Sequence, residues 1–408
     1  MISQVKVKNF KALGEPAPVR LTPFTVLVGP NDTGKTSFLE AIYALAESTS
    51  RPLADCFWSP WERLQLVHNQ NSDANVEFDA DLESLPCGND KRANAKDRLH
   101  YYLSLTFLAQ AERNCQACCE RISEYDLTGN VAEMNSKSQS RTAVCSYQAG
   151  AGFPPDQQTL LKRVLNSLSQ SALARWDVEE LGMPSHLNAD RRLPFDPSGY
   201  GLATCIAEMK LGKGGHFDAL KTAFCGLFTD FDDILVRRTS VQGFTRDERF
   251  RKQQTKIGEG YAISLLRKDG IEVPAGLASG GILVTLGYLT LVNLENPRKL
   301  LLIEEPENAL HPGRIKEIID VLRQATQPPT NCQIVMTTHS PLLLDYFEPE
   351  EVRIFLRNEQ NDIEIHNLAD VPEIRDRLNY LMLGELVYNE GEQELVKEIR
   401  QHVGVHSG

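Results

Sequence analysis

Phe24 to Glu40 reads FTVLVGPNDTGKTSFLE, and the prediction of the fold starts from this stretch. Phe24 to Val28 is a short apolar, β-branched run that predicts a buried strand, and Thr36 to Ser48 has the apolar spacing of a helix. Between them, Gly29 to Thr36 fits the pattern G-x-x-x-x-G-K-[ST] without a mismatch. A glycine-rich turn of this kind lets several backbone N–H groups converge on a phosphate chain. The stretch therefore predicts a nucleotide-phosphate site, with an ordinary glycine-containing turn as the alternative.

This loop supplies a continuous set of candidate nucleotide ligands: Gly29, Pro30, Asn31, Asp32, Thr33, Gly34, Lys35, Thr36 and Ser37. Lys35 is expected to reach the β- and γ-phosphates of the nucleotide, and the Thr36 hydroxyl is expected to ligate Mg²⁺. The loop thus predicts a nucleotide with β- and γ-phosphates and a Mg²⁺ ion, but it does not indicate which nucleotide enzyme this is.

Composition predicts a soluble globular protein, because 41% of the 408 residues are hydrophobic and 24% are charged. That length allows two or three domains. The longest mainly apolar run, Ile282 to Val292, includes two Thr and one Gly and is too short to span a bilayer. The N-terminal MISQVKVKNF has charges where a signal peptide would have its apolar centre. We therefore predict a cytoplasmic location and no membrane partner.

The nine cysteines have no repeating spacing and favour reduced thiols over a disulfide framework. Cys115, Cys118 and Cys119 form a cluster, with His100 and Cys145 nearby, so a zinc site is an open alternative to buried or idle thiols. Whether this cluster binds metal stays undecided at the sequence level.

A formal net charge of −12 argues against a surface that binds nucleic acid over a wide area. Any contact with DNA or RNA must be local, and the best candidate is the arginine- and lysine-rich stretch from Arg237 to Lys256. The pattern there favours a solvated charged face over a nucleic-acid contact. Arg191 and Arg192 follow a predicted strand end at Ser185 and could meet a phosphate or form a surface ion pair.

The middle of the chain has a weaker pattern than either end. Val76 to Asp81 and Leu99 to Phe107 alternate like strands, whereas Gln158 to Leu173 has helical spacing. These segments predict a mixed α+β or helical insertion whose task the sequence does not declare.

The pattern sharpens again near residue 277. Ser279, Gly280 and Gly281 precede an apolar helix predicted over Ile282 to Leu294 and offer a second anion-facing cluster. An aliphatic strand predicted over Arg298 to Ile303 ends in Glu304 and Glu305. After a helix predicted over Pro312 to Ala325, a buried strand from Gln333 to Thr337 leads to His339. Because sites in α/β proteins lie at the carboxyl edge of the sheet, Glu304, Glu305 and His339 are candidate functional residues.

The segments GPNDTGKT, LASGG, LLLIEEPE and TTHSP, in this order, resemble the ATPase heads of the ABC superfamily. They look most like its OLD and RecF/SMC-like branch, which is often labelled AAA-type ATPase. ISQVKVKNFKAL resembles that branch's opening strand, and EEPENALHP is similar to its Walker B segment with a Leu-His-Pro tail. The resemblance covers about residues 1–50 and 275–345. It implies an α/β P-loop NTPase with a mixed sheet flanked by helices and interrupted by an insertion.

The resemblance also assigns roles to individual positions. It implies that Glu304 holds Mg²⁺ through water, since relatives commonly have the shorter Asp there, and that Glu305 is the general base. Lys35 and His339 complete the predicted catalytic set, with His339 as the switch histidine facing the γ-phosphate. Ser279, with Gly280 and Gly281, matches the signature motif that contacts ATP bound to the other subunit. Asn308 matches the start of the dimer-contacting D-loop, and Gln65 is an undiagnostic candidate for the Q-loop glutamine.

The implied organisation is a split ATPase core over residues 1–50 and 275–370. Residues 51–274 would form an insertion with the signature-side lobe and room for a partner or dimerisation module, and residues 371–408 a C-terminal helical segment. Because the signature motif acts on a partner's ATP, a homodimer or higher homo-oligomer with ATP at the interface is expected.

The predicted activity is hydrolysis of ATP to ADP and phosphate. Its output would be a DNA-linked or anti-phage defence process that ATP-dependent assembly controls. OLD nucleases continue into a Toprim domain, whereas few residues follow LGELVYNEGE here, so the expected effector is a separate chain such as a Toprim-type nuclease. A RecF/SMC-like repair ATPase that binds DNA directly is the alternative, and an ABC transporter ATPase is a further rival. The effector, the trigger and the oligomer size stay open.

Overall fold

The computed structural model describes residues 1–57, 63–71, 73–83, 98–107, 115–125, 131–136, 140–187, 195–212, 214–244, 255–310 and 312–406. These residues form two compact units. The first unit comprises Met1–Ser171 and Gln333–Gly408, and the second comprises Ala172–Cys332. The predicted boundary at 274/275 falls inside the second unit, and the predicted insertion contributes to both units.

The strands of the described residues, in chain order, are β1 (Ile2–Lys8), β2 (Val19–Arg20), β3 (Phe24–Val28), β4 (Val76–Glu83), β5 (Arg98–Phe107), β6 (Cys115–Tyr125), β7 (Val131–Ser136), β8 (Ser171–Ala174), β9 (Ser185–His186), β10 (Phe231–Phe244), β11 (Thr255–Arg267), β12 (Glu272–Pro274), β13 (Leu300–Glu304), β14 (Gln333–Thr337), β15 (Val352–Arg357) and β16 (Ile363–Asn367).

The α-helices are α1 (Lys35–Glu47), α2 (Leu53–Cys56), α3 (Ala143–Gln148), α4 (Pro155–Leu168), α5 (Val178–Gly182), α6 (Leu202–Leu211), α7 (His216–Leu227), α8 (Gly280–Val292), α9 (Pro312–Ala325), α10 (Pro341–Leu344), α11 (Ile374–Arg377), α12 (Leu383–Glu390) and α13 (Glu392–His406). Short 3-10 turns cover Arg63–Leu66, His68–Gln70, Ala275–Leu277, Pro306–Ala309, Pro349–Glu351 and Leu368–Asp370.

The first unit contains an antiparallel sheet in the order β2-β1-β4-β5-β6-β7. In β4 the residues alternate strictly between buried and half-buried, as expected for a sheet with one face on the core and one toward solvent. The rings of Phe10, Phe57, Phe78 and Phe107 pack beneath this sheet with centroids 5.6–6.4 Å apart. This aromatic cluster joins the N-terminal strand to the segment that follows the helix α1.

The first unit also contains the parallel strands that carry the phosphate loop. Its sheet order is β16-β15-β3-β14, with β3 parallel to both β14 and β15. Every residue of Phe24–Val28 is buried, because neighbouring strands and helices cover both faces. Helix α1 follows the loop, and its Phe38 ring packs against Phe355 of β15 at a centroid distance of 5.6 Å.

A buried carboxylate lies near the C-terminal end of α1. Glu120 of β6 is fully buried and accepts hydrogen bonds from the Tyr101 hydroxyl at 3.1 Å and the Ala143 N–H at 2.5 Å. Thr142, which caps α3, donates its hydroxyl to the Ser48 carbonyl at 2.8 Å. Burial raises the pKa of Glu120 to about 7, and the hydrogen bonds from Ala143 and Tyr101 offset only part of that rise.

The second unit is organised around α8. Leu283 to Leu291 are all buried, so this helix is covered on every side. The Trp176 ring packs 4.4 Å from the Tyr288 ring and also covers Gly287, where an added Cβ would lie 2.8 Å from the indole. The long strands β10 and β11 pair antiparallel, with β9 and β12 on β11, and β13 and β8 are neighbouring strands.

Most predicted elements recur within two residues, and β3, α9 and β14 have the predicted bounds. The helix predicted over Gln158 to Leu173 is wrong at its C-terminal end. It stops at Leu168, Gln170 takes a left-handed φ of 63°, and Ser171–Ala174 forms β8. Leu173 continues the helical spacing, but pairing of β8 in the sheet overrides this local helical pattern.

Candidate functional site

The phosphate loop has a backbone that only glycine tolerates at two positions. Gly29 has a φ of 138°, and a Cβ there would lie 2.1 Å from the Phe355 carbonyl oxygen. Gly34 has a φ of 84°, and a Cβ there would lie 2.5 Å from the Ile363 Cδ1. Gly29 is therefore required by the close approach of the β15 backbone, and Gly34 mainly by its left-handed φ, because the end of the Ile363 side chain can shift.

Lys35 begins α1 and is 5% exposed. Its Nζ donates to the carbonyl oxygens of Gly29 and Pro30 at 2.7 Å each. The Thr33 hydroxyl also donates to the Pro30 carbonyl, at 2.8 Å. The loop thus folds over the ammonium group of Lys35, which places a positive charge beside the N-terminus of α1, where an anion is favoured.

Arg357, the last residue of β15, fixes the tip of the loop, and no sequence motif points to it. Its Nε and Nη2 donate to the Asp32 carbonyl at 3.0 and 2.7 Å. Asp32 has a φ of 61°, a left-handed backbone that this double contact holds. The partners are 325 positions apart in the chain, so local spacing could not reveal the contact.

His339 follows β14, the parallel neighbour of β3. Thr337 pairs with Leu27, and the Thr338 N–H donates to the Leu27 carbonyl at 3.1 Å. β14 and β3 therefore end at the same edge of the sheet, and the exposed His339 lies on the chain that leaves this edge. Within the first unit, His339 thus leaves the sheet at the edge from which the phosphate loop starts, and its role stays a prediction.

In the second unit, the two carboxylates at the end of β13 have different partners. Glu304 accepts a hydrogen bond from the Arg175 Nε in an ion pair, and its side chain is 14% exposed. Glu305 has a left-handed backbone with φ 44° and ψ 62°, and its Oε2 accepts from the Asn308 Nδ2 at 2.7 Å. A left-handed conformation in a residue other than glycine costs about 1–3 kcal/mol and is typical of functional positions.

Ser279, Gly280 and Gly281 lie at the N-terminus of α8, within the second unit. Ser279 is the N-cap residue and is exposed. The first N–H groups of a helix have no partner inside it, so they face the cleft beside them. This cleft of about 540 Å³ is lined by Phe228, Thr229, Asp230, Phe231, Ser279, Gly280, Gly281, Ile282 and Arg314.

Arg314 of α9 forms one wall of the cleft. Its Nη1 donates to the Leu227 carbonyl at 3.0 Å and to the Glu317 carboxylate at 2.7 Å. Its guanidinium also lies 4.6 Å from the centre of the Phe228 ring. These contacts tie the helix that follows Glu304 and Glu305 to the wall of the Ser279 cleft.

The donors predicted for Mg²⁺ are of the type that this ion takes. The Thr36 hydroxyl and the Glu304 carboxylate are oxygen ligands, and Mg²⁺ usually uses one or two protein oxygens together with phosphates and water. Among the described residues there is no group of three or more His, Cys, Asp or Glu side chains that could hold a metal alone. The assignment of Mg²⁺ to Thr36 and Glu304 stays a prediction.

Several other candidates lie partly or wholly outside the described residues. Arg191 and Arg192 lie outside them, as do residues 245–254 of the basic stretch. Arg237, on β10, forms an ion pair with Glu272. The side chains of Cys115 and Cys118 also fall outside the description, and Gln65 is exposed in the 3-10 turn Arg63–Leu66.

Two family models match the chain. The model described as "AAA ATPase domain" matches residues 1–105, which include the phosphate loop. The model described as "AAA domain, putative AbiEii toxin, Type IV TA system" matches residues 215–345, which include Ser279, Glu304, Glu305 and His339. No curated protein sequence matches the chain significantly.

Solved structures of SMC head domains share the fold. One is an SMC head bound to the C-winged helix domain of ScpA, with 13% identity and a TM-score of 0.50 over 90% of this chain and 97% of that chain. Another is an SMC head with an extended coiled coil bound to the C-terminal domain of ScpA derived from Pyrococcus furiosus. It has 11% identity and a TM-score of 0.50 over 93% of this chain and 99% of that chain. The predicted fold class, a mixed α/β fold with sheets flanked by helices, is confirmed, and the fold is similar to that of SMC head domains. No helix among the described residues is long and apolar enough to cross a membrane.

Proposed function

We propose that this chain, an ATPase with an ABC-type head, uses ATP binding and hydrolysis to switch between assembly states. The observation that carries the proposal is the formed phosphate loop, in which two obligatory glycines and the buried Lys35 ammonium stand at the N-terminus of α1. Such a loop binds a nucleotide through its phosphates. Binding to one assembly state alone would stabilise that state by a free energy that rises with the logarithm of the nucleotide concentration above the Kd.

The chemistry assigned to the chain is hydrolysis at the γ-phosphate. Lys35 stabilises the phosphate charge, and Glu305 takes a proton as the oxygen of water bonds to the γ-phosphorus and the bond to ADP breaks. The contact with Asn308 holds the Glu305 carboxylate in one orientation. His339 would donate to the γ-phosphate. Mg²⁺, when bound by Thr36 and Glu304, would neutralise charge on the β- and γ-phosphates.

Assembly is assigned to the Ser279 cleft. Its wall combines the helix N-terminus of α8 with the guanidinium of Arg314, and both favour an anionic ligand. The proposed ligand is the γ-phosphate of ATP bound to Lys35 of a second copy. In a symmetric dimer the same contact occurs twice, so two nucleotides are part of the interface.

The proposed output is control of a DNA-linked or anti-phage defence process through a separate effector, such as a Toprim-type nuclease. Support comes from the resemblance of four motifs to OLD-type ATPases and from the match of residues 215–345 to a model named for a toxin–antitoxin system. An SMC head bound to a domain of ScpA is an example of this fold with a protein partner.

The second candidate function is a RecF/SMC-like repair ATPase that binds DNA directly. The exposed Arg238 and the neighbouring Arg237 on β10 favour it, because they begin a locally basic stretch in an otherwise acidic chain. Retention on duplex DNA that requires ATP and falls steeply with salt would support this function. Retention that is absent at low salt would exclude it.

The assembly proposal is tested by sedimentation velocity with ATP, with ADP and without nucleotide. The full chain is expected to sediment as a dimer or larger species only with ATP, and most completely in Glu305→Gln, which keeps the nucleotide uncleaved. Nucleotide binding without any change in sedimentation would contradict assembly but leave the ATPase assignment intact.

A further inference from the structure

We propose that Arg175 is a positioning residue that competes with the divalent cation for Glu304 and thereby sets how strongly the cation supports nucleotide binding. The inference rests on the proposed role of Glu304 toward Mg²⁺ and adds a residue that no motif includes. Arg175 follows β8, and Glu304 ends β13, the neighbouring strand. The two side chains meet through Nε of the guanidinium and Oε2 of the carboxylate.

The backbone around Arg175 is fixed. Its N–H donates to the Pro197 carbonyl at 2.9 Å, and the Asp177 N–H donates to the Ser198 carbonyl at 2.8 Å. Between them, Trp176 packs against Tyr288. Because Arg175 leaves a backbone held on both sides, its contact with Glu304 is built into the second unit.

The low exposure of Glu304 strengthens its interaction with a neighbouring positive charge. The Glu304 side chain is only 14% exposed, whereas that of Arg175 is 44% exposed. A carboxylate with so little access to water needs a nearby positive charge, and Arg175 supplies one while a divalent cation would supply two. The more exposed partner is the one that can swing into solvent with little loss of hydration.

Arg175 disfavours binding of the cation at each of the two carboxylate oxygens of Glu304. A cation or its water shell at Oε2 would have to displace the Arg175 Nε. A cation at Oε1 would stand close to the guanidinium, and like charges a few ångströms apart repel. In both cases Arg175 lowers the gain in nucleotide affinity that the cation brings. Because the Glu304 side chain is longer than that of Asp by one methylene, its carboxylate can turn toward Arg175 or toward the cation.

The test measures the coupling between cation and nucleotide. A fluorescent ATP analogue is titrated into the full chain in EDTA and in saturating Mg²⁺. The dissociation constant in EDTA divided by that in Mg²⁺ reports the coupling, so a larger ratio means that the cation strengthens binding more. Arg175→Ala and Arg175→Gln are expected to raise this ratio roughly tenfold, because the competing charge is lost. Arg175→Lys, the matched control, keeps the charge and should stay near the wild-type ratio.

A second arm assigns the effect to Glu304. Glu304→Gln should lower the ratio, and adding Arg175→Ala to Glu304→Gln should change nothing further, because the shared partner is gone. A normal affinity in EDTA with an unchanged ratio in both Arg175→Ala and Arg175→Gln would overturn the inference. A wild-type chain that binds no analogue in either buffer would instead refute the proposed nucleotide function. Thermal unfolding of each variant shows whether it is folded, and Arg175→Gln decides the question if Arg175→Ala is not.

Discussion

Replacing Gly29 with Ala should damage both the stability of the first unit and its affinity for ATP. The new methyl would lie 2.1 Å from the Phe355 carbonyl oxygen, although real Cβ atoms stay beyond 3.0 Å from such atoms. β3 and β15 must therefore separate by roughly 1 Å, which typically costs about 1–3 kcal/mol as overpacking. The φ of 138° adds about 1–3 kcal/mol, because a residue with a Cβ rarely adopts it.

The combined cost of about 2–6 kcal/mol is a large share of the 5–15 kcal/mol that stabilises an average protein. Differential scanning fluorimetry should show a fall in Tm of roughly 4–20 °C. Fluorescence titration with an ATP analogue should show binding at least about tenfold weaker, because loop donors displaced by 1 Å no longer converge on the phosphates.

Gly150→Ala is the matched control for this substitution. Gly150 has a φ of 92°, also left-handed, but an added Cβ would meet no atom within 4 Å. That variant should lose only about 1–2 kcal/mol of backbone energy and should bind ATP normally. If Gly29→Ala matches Gly150→Ala in Tm and keeps wild-type affinity, the steric account of the loop is refuted.

Three further predictions concern single side chains. Lys35→Ala should weaken binding of the ATP analogue by roughly 10- to 100-fold, since charge-assisted hydrogen bonds contribute about 1.5–3 kcal/mol. Replacing the exposed Lys316 with Ala is the control, and unchanged affinity in Lys35→Ala would contradict the loop assignment. Glu305→Gln should bind ATP normally but hydrolyse it roughly 10²–10⁴-fold more slowly in a phosphate-release assay, and normal turnover would place the base elsewhere. Glu120 has a pKa of about 7 in the folded protein against 4.5 for an ordinary carboxyl, so its stabilising effect is complete below pH 4.5 and is lost as the pH rises through 7. Chemical unfolding should therefore show stability falling by about 3 kcal/mol over that range, and a Glu120→Gln variant with the same slope would show that another group titrates.

The elements around the phosphate loop were predictable because their signals are local. Phe24–Val28 and Gln333–Thr337 are short aliphatic runs buried on both faces, and each has the predicted bounds. The end of α4 was not predictable, since Leu173 fits the helical period and only pairing in the sheet assigns it to a strand.

The contacts that support the site were also beyond the sequence. Arg175 meets Glu304 across 129 positions, and Arg357 meets Asp32 across 325. Neither arginine belongs to a motif, and an isolated arginine at a strand end is most often a surface residue. Motifs predicted which groups carry the chemistry, while the residues that orient those groups depend on tertiary packing.

In the proposed dimer, one copy's Lys35 and another copy's Ser279 act on the same ATP. This arrangement is tested most directly by mixing two variants that are each expected to be inactive, Lys35→Ala and Ser279→Arg, and measuring ATP hydrolysis. Half of the dimers in an equal mixture are mixed, and each mixed dimer has one site with both residues intact, so about a quarter of wild-type activity should return. If the mixture stays as inactive as each variant alone while sedimentation shows mixed dimers, the shared site is contradicted.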